Sequence, residues 1–208
     1  MRLAQRAHDS ALLVEAHYSL GNVLYWQGEL VAAQAHMEQG IACCNPEQSR
    51  SQIVSFGTDL GMHCRNFAAL ILWLLGYPDQ ALKKTYEALT LAKELSHPYS
   101  LVFALGFAAW LHLLRREGQA TQERAEACIT LSTEQQFPHW LAWGTILQGW
   151  ALAEQGQGEE GIALIHQGLA ASRAIGIELR GWYVALLAEA YGVTVQSVSS
   201  KIVNGRLW

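Results

Sequence analysis

Four cysteines, eight histidines and 18 acidic residues are the chemically capable side chains of this 208-residue chain. Their spacing decides whether they could act together. Cys43-Cys44 and His63-Cys64 are adjacent pairs. Helical neighbours point about 100° apart, so such pairs clamp a metal poorly, and the thiols read as buried and inert. The four cysteines form no disulfide or zinc spacing. No H-E-x-x-H, G-x-S-x-G or G-x4-G-K-[ST] pattern occurs, which leaves no metalloprotease helix, serine elbow or phosphate loop to build on. The glycine-rich text EQGQGEEG (154–161) lacks the lysine of a phosphate cradle and reads as a turn between helices. Glu159 and Glu160 follow that turn, where carboxylates suit the positive end of a helix dipole better than acid–base work. Catalytic, cofactor and metal residues are therefore expected to be none, and an enzyme is not expected.

The elements that position these residues follow from composition and period. The chain is 51% hydrophobic and 15% charged, with net charge −4. That excludes disorder, collagen and coiled coil, and it supplies no basic field for nucleic acid. The run from Phe67 to Tyr77 is too short to span a bilayer, which takes about 20 residues, and residues 1–10 lack a secretory core. No nucleic-acid or membrane partner is expected, and the location expected is cytoplasmic. Four glycine-centred segments then recur, around Gly28, Gly76, Gly118 and Gly156, with Leu24, Leu72, Leu114 and Leu152 each four residues earlier. Each reads as two antiparallel helices with the glycine closing the first. Pro46, Pro78, Pro98 and Pro138 each open a helical stretch. Helices are predicted near 10–27, 30–43, 47–75, 78–95, 98–117, 120–135, 138–155, 158–175 and 178–192. The fold class is all-α, antiparallel helix pairs over 1–192, followed by a non-repeat tail, VTVQSVSSKIVNGRLW (193–208).

The segment HYSLGNVLYWQGELVAAQAHMEQGIACCNP (17–46) resembles a tetratricopeptide repeat. His17 stands at the family's Trp, Leu20-Gly21 at its Leu-Gly, Leu24 at its Tyr, and Ala33, Met37 and Gly40 at the second-helix small and aromatic positions. The phrases LWLLGYPDQAL (72–82), SLVFALGFAAWLHLLRREGQ (100–119) and WGTILQGWALAEQGQGEEGI (143–162) are similar to a bacterial subfamily. That subfamily forms the C-terminal repeat region of multidomain nucleotide cyclases and signal-transduction ATPases. Residues 1–8 read like the last turns of an earlier repeat. Neither a cyclase nor an ATPase domain stands in this sequence.

The resemblance implies a right-handed superhelix, an α-solenoid, with a concave face built from first helices. Carried over residue by residue, it places Glu15, Tyr18, Asn22, Tyr25 and Trp26 there in the first unit, and His63, Asn66 and Trp73 in the second. His112, Arg115 and Arg116 follow in the third, and Trp143 and Trp150 in the fourth. Amides, aromatic walls and an arginine pair would suit an extended peptide or a carboxylate. Against this, Arg115-Arg116 also suits a helix C-terminus facing solvent, and Trp73 sits in an apolar run that reads as core. The expected function is a non-catalytic protein- or peptide-binding scaffold. The alternatives are a small-ligand sensor or a self-associating remnant of a larger signalling protein. A homodimer is expected, by end stacking or through the 47–75 helix with Phe56, Met62, Phe67, Leu70, Ile71 and Leu74.

Overall fold

The computed structural model describes residues 9–44, 53–54, 57–177 and 181–203. Nine helices of ten or more residues lie among them: α1 (Ser10–Gln27), α2 (Leu30–Cys43), α3 (Leu60–Leu74), α4 (Pro78–Leu95), α5 (Pro98–Leu114), α6 (Gly118–Gln135), α7 (Pro138–Glu154), α8 (Gly158–Ala174) and α9 (Gly181–Val203). No strand occurs among the described residues. The chain divides into two compact units, one ending at Leu111 and one beginning at His112. Unit 1 holds α1–α4 and most of α5; unit 2 holds α6–α9.

Turn chemistry explains the boundaries. Three prolines open α4, α5 and α7, at the first-turn position where the missing N–H costs nothing. Asp9 caps α1 by accepting from the amides of Ala11 and Leu12, and Asp59 caps α3 by accepting from Met62 N at 2.6 Å. At the helix ends, left-handed residues stand at 76, 96, 116, 136, 156 and 176, one every 20. Most of these turns close with the same backbone bond, from the amide just past the turn to a carbonyl five residues back: Tyr77 to Leu72, Glu117 to His112, Phe137 to Ser132, Gln157 to Leu152 and Ile177 to Ser172. This is the Schellman closure of a helix.

Four expectations change. The shared turn residue of the third pair is Arg116 at φ 62°, not Gly118, which opens α6. A glycine can serve either side of a turn, and here an arginine takes the left-handed place at a cost of about 1–2 kcal/mol. The stretch predicted as one helix over 47–75 is interrupted: Gly57 (φ 72°) and the Asp59 cap stand between the helical residues 53–54 and α3, which starts at Leu60. Met62, Phe67, Leu70 and Ile71 of that stretch are buried within the fold and offer no dimer surface, Leu74 is half exposed, and Pro46 and Phe56 fall outside the described residues. The last helix runs on past 192 to Val203. Thr194 returns its hydroxyl to Ala190 O at 2.7 Å and packs against Gly158 at the start of α8.

Small residues set the helix crossings. In unit 1, Gly21 faces Ala33 and Met37 across the α1–α2 pair, and Gly40 of α2 faces Cys64 of α3. In unit 2, Gly144 of α7 meets Ile129 and Ala125 of α6, and Gly149 meets Gly161 and Ile165 of α8. Within unit 1, α2 packs on α1 and on α3, and α3 packs on α4; within unit 2, α7 packs on α6 and on α8, and α8 packs on α9. No described helix is long and apolar enough to cross a membrane.

Candidate functional site

Counting back from the turn residue of each first helix puts α1, α3, α5 and α7 in register. Thirteen residues before the turn stand Glu15, His63, Phe103 and Trp143; six before stand Asn22, Leu70, Trp110 and Trp150. Expected site residues from the first, second and fourth pairs fall on these tracks or on neighbouring positions of the same face. Those of the third pair, His112, Arg115 and Arg116, lie two residues out of register, because the turn falls at Arg116 and not at Gly118. The equivalent positions hold Trp110, Leu113 and Leu114, and Phe103 stands on the thirteen-before track. The signal that finds Trp110 and Phe103 is the 20-residue turn spacing, which gives Arg116 the left-handed place.

In unit 1 the first helices are tied by rings. Tyr18 of α1 meets His63 edge-on at 5.4 Å, and His63 stacks on Phe103 of α5 at 3.8 Å. A second chain of contacts runs Trp26–Tyr25 (5.0 Å), Tyr25–Phe67 (5.6 Å), Phe67–Phe107 (5.2 Å) and Phe107–Trp110 (5.8 Å). It crosses three helices, with Trp26 half exposed and Tyr25 and Trp110 partly so. Tyr18, Asn22 and Trp73 are also partly exposed. Edge-to-face rings of this kind add about 0.5–1.5 kcal/mol per pair beyond burial.

His63 and Asn66 are buried beneath this strip. Thr58 Oγ1 lies 2.8 Å from His63 Nε2, while His63 Nδ1 and Asn66 Oδ1 meet no hydrogen-bond partner among the described residues. Burial drives the His63 imidazole down to about 3, whereas an unfolded histidine titrates near 6.5. Between those values the unfolded chain binds the extra proton. Stability is therefore expected to fall as pH drops from about 6.5 toward 3, by about 1.4 kcal/mol per pH unit. Urea titrations between pH 6 and pH 4 check this: His63→Phe, which keeps the stack on Phe103, should flatten the slope by that amount. An unchanged slope would assign the acid limb to another group. Burial also pushes the Tyr18 phenol up to about 12.

Unit 2 holds the other expected residues in different roles. His112 is buried and hydrogen-bonded through Nδ1 to Glu117 Oε2 at 2.6 Å, and Arg115 Nε donates to the same carboxylate at 2.8 Å. Burial pulls the Glu117 carboxyl up, but the bonds from His112 and Arg115 outweigh it and hold the group below its ordinary value. Arg116 pairs with Glu189 and Glu154. Both guanidinium groups thus already hold carboxylates of this chain, so the expected arginine fork for a foreign carboxylate is occupied. Trp143 and Trp150 are buried. Trp143 stacks on Trp140 at 4.9 Å, and Trp150 donates its indole N–H to Glu189 at 3.3 Å. They are core residues because α9 and its neighbours close over that face. Elsewhere in unit 1 an open groove of about 770 Å³ follows α4, with Leu82, Tyr86 and Leu91 as its apolar walls. Burial raises the Cys44 thiol to about 11 and Cys128 to about 12, which keeps both thiols protonated near neutral pH.

No protein-family model and no curated protein sequence matches the chain. Solved structures do. BtubC (BKLC) from P. vanneervenii is 16% identical with a TM-score of 0.62, covering 83% of this chain and 68% of its own. A kinesin-light-chain-like protein of Podosopora anserina with nearly identical TPR-like repeats is 14% identical with a TM-score of 0.62, and a single-residue variant of it reaches 0.63. Each of these two covers 95% of this chain, and the variant is itself covered over 94% of its length. At such identities the likeness is one of fold: the chain is an α-solenoid of tetratricopeptide-like helix pairs.

Proposed function

We propose that this chain is a non-catalytic scaffold that binds an extended segment of a protein partner across α1, α3 and α5 of unit 1. The observation that carries the proposal is the aromatic strip from Trp26 through Tyr25, Phe67 and Phe107 to Trp110. Its ends reach solvent while its middle is locked by ring contacts. A rigid aromatic platform buries a partner's apolar side chains at little entropic cost, and Asn22 beside it offers both donor and acceptor to a peptide backbone. Tetratricopeptide-like neighbours support a scaffold of this class. The finer kinship with the C-terminal repeats of bacterial nucleotide cyclases and signal-transduction ATPases rests on the three sequence phrases and belongs to the same proposal, as do cytoplasmic residence and self-association.

A display library of random 12-residue peptides tests the reading. Selected peptides should be extended and aromatic or apolar, and Trp26→Ala should weaken them at least about tenfold, as truncated hot-spot aromatics do. Tyr86→Ala on α4 should leave them unaffected. Peptides lost with Tyr86→Ala but kept with Trp26→Ala would move the site to the α4 groove. A screen that returns only small polar compounds sensitive to Asn66→Ala would favour the sensor.

A further inference from the structure

A second face of α1, turned away from Tyr18 and Tyr25 and bordered by Trp26 one turn past Val23, carries Leu12, Ala16, Leu20 and Val23. Leu12, Leu20 and Val23 are 39–53% exposed. In the turn-anchored register these positions are those of Leu60, Cys64, Ala68 and Ile71 in α3, and of Ser100, Ala104, Ala108 and Leu111 in α5. All eight are 0–6% exposed. In α3 and α7 the cover is a helix. Gly40 of α2 lies against Cys64, and Ile129 and Cys128 of α6 lie against Gly144, the α7 residue at the same position. The α1 face is thus the established helix-receiving face of the fold, without a helix on it among the described residues. Only one other described helix exposes three large apolar side chains along one side. On α9, Val184, Tyr191 and Val195 are 47–63% exposed, with exposed Ala188 between them. Their i, i+4, i+7, i+11 spacing makes one continuous stripe.

We propose that α9 of one copy seats this stripe on the Leu12–Ala16–Leu20–Val23 face of α1 in a second copy, so that the chain associates head to tail. The small residues Ala16 and Ala188, near the middle of each stripe, let the two helices approach as closely as the glycine-lined crossings inside each unit. Tyr18 and Tyr25 project from the other side of α1, while Trp26 stands one turn past Val23 at the edge of the contact.

Two single substitutions and their mixture test it by analytical ultracentrifugation. The parent chain should show an average mass that rises with concentration. Val23→Glu blocks the α1 face and Tyr191→Glu blocks the α9 stripe. Each variant alone should sediment as monomer, with the association midpoint raised at least tenfold. Mixed in equal amounts, they should form a one-to-one complex that grows no further, since one intact α9 and one intact α1 remain. Circular dichroism confirms that both variants stay helical; Leu20→Glu and Val195→Glu serve if either does not. A parent that is monomeric at millimolar concentration overturns the proposal. So does a Tyr191→Glu chain that still dimerises, which would mean that α1 pairs with α1, or a mixture that stays monomeric.

Discussion

Replacing Gly161 with valine is expected to destabilise unit 2 by about 3 kcal/mol or more, at or above the upper end of overpacking costs. A side chain at Gly161 would run into the carbonyl of Gly149 and approach the amide of Ala153 to 2.8 Å. From the other side, a Cβ on Gly149 would lie 2.5 Å from Gly161 O and 2.9 Å from Ile165 N. These neighbours are backbone atoms, so no rotamer change relieves the clash. The helices α7 and α8 would have to separate, loosening the Gly168 contact with Ala142 and Ile146 as well. For a chain of this size the melting temperature should drop by roughly 6–12 °C. Gly192→Ala makes the control, because nothing lies within 4 Å of its would-be side chain. Helix propensity there should raise stability by about 0.5–1 kcal/mol. A Gly161→Val chain melting within about 2 °C of the parent, well short of that drop, would show that the crossing tolerates a wider spacing.

Trp150→Ala carries the second large effect, about 3–5 kcal/mol of stability. The ring is fully buried, it donates to Glu189, and the Arg116 guanidinium sits 5.7 Å from its centre. Truncation opens a cavity and removes the indole from a network in which Arg116 and Glu189 then remain. Trp150→Phe fills most of the space and loses the N–H, so it should cost far less, about 1–2 kcal/mol. Guanidinium titration of the three chains gives the order directly. The same chains in the peptide assay should bind alike wherever they are folded. A Trp150→Ala chain of parental stability that fails to bind would return this residue to the binding face, against its burial.

The helices were legible where one residue type does one job. Pro78, Pro98 and Pro138 can only open a helix, and Gly28, Gly76 and Gly156 close one cleanly. Gly118 was ambiguous, because glycine suits both a left-handed turn and a helix start, and the turn was taken by Arg116. That two-residue shift puts His112, Arg115 and Arg116 on the expected face and leaves Trp110 off it. The long apolar stretch before Leu74 concealed a break, since Asp59 caps a helix through an amide three residues on that periodicity does not see. The valine- and serine-rich text after Gly192 reads as a poor helix, yet packing of Thr194 on Gly158 overrides its propensity. Burial was the least legible property. A 3.6-residue stripe marks an apolar face without saying how many neighbours cover it, so Trp26 and Trp150, both expected on the concave face, ended at opposite extremes of exposure.

Left-handed turns at a 20-residue interval also bear on how the chain acquires its structure. Each helix finds its partners among the one or two just before or after it, so contacts close short stretches and the entropic cost of closure stays small. Such local wiring belongs to chains that fold within milliseconds, and a stacked array can begin at any adjacent pair and spread. A pair can therefore dock during synthesis as soon as its second helix leaves the ribosome.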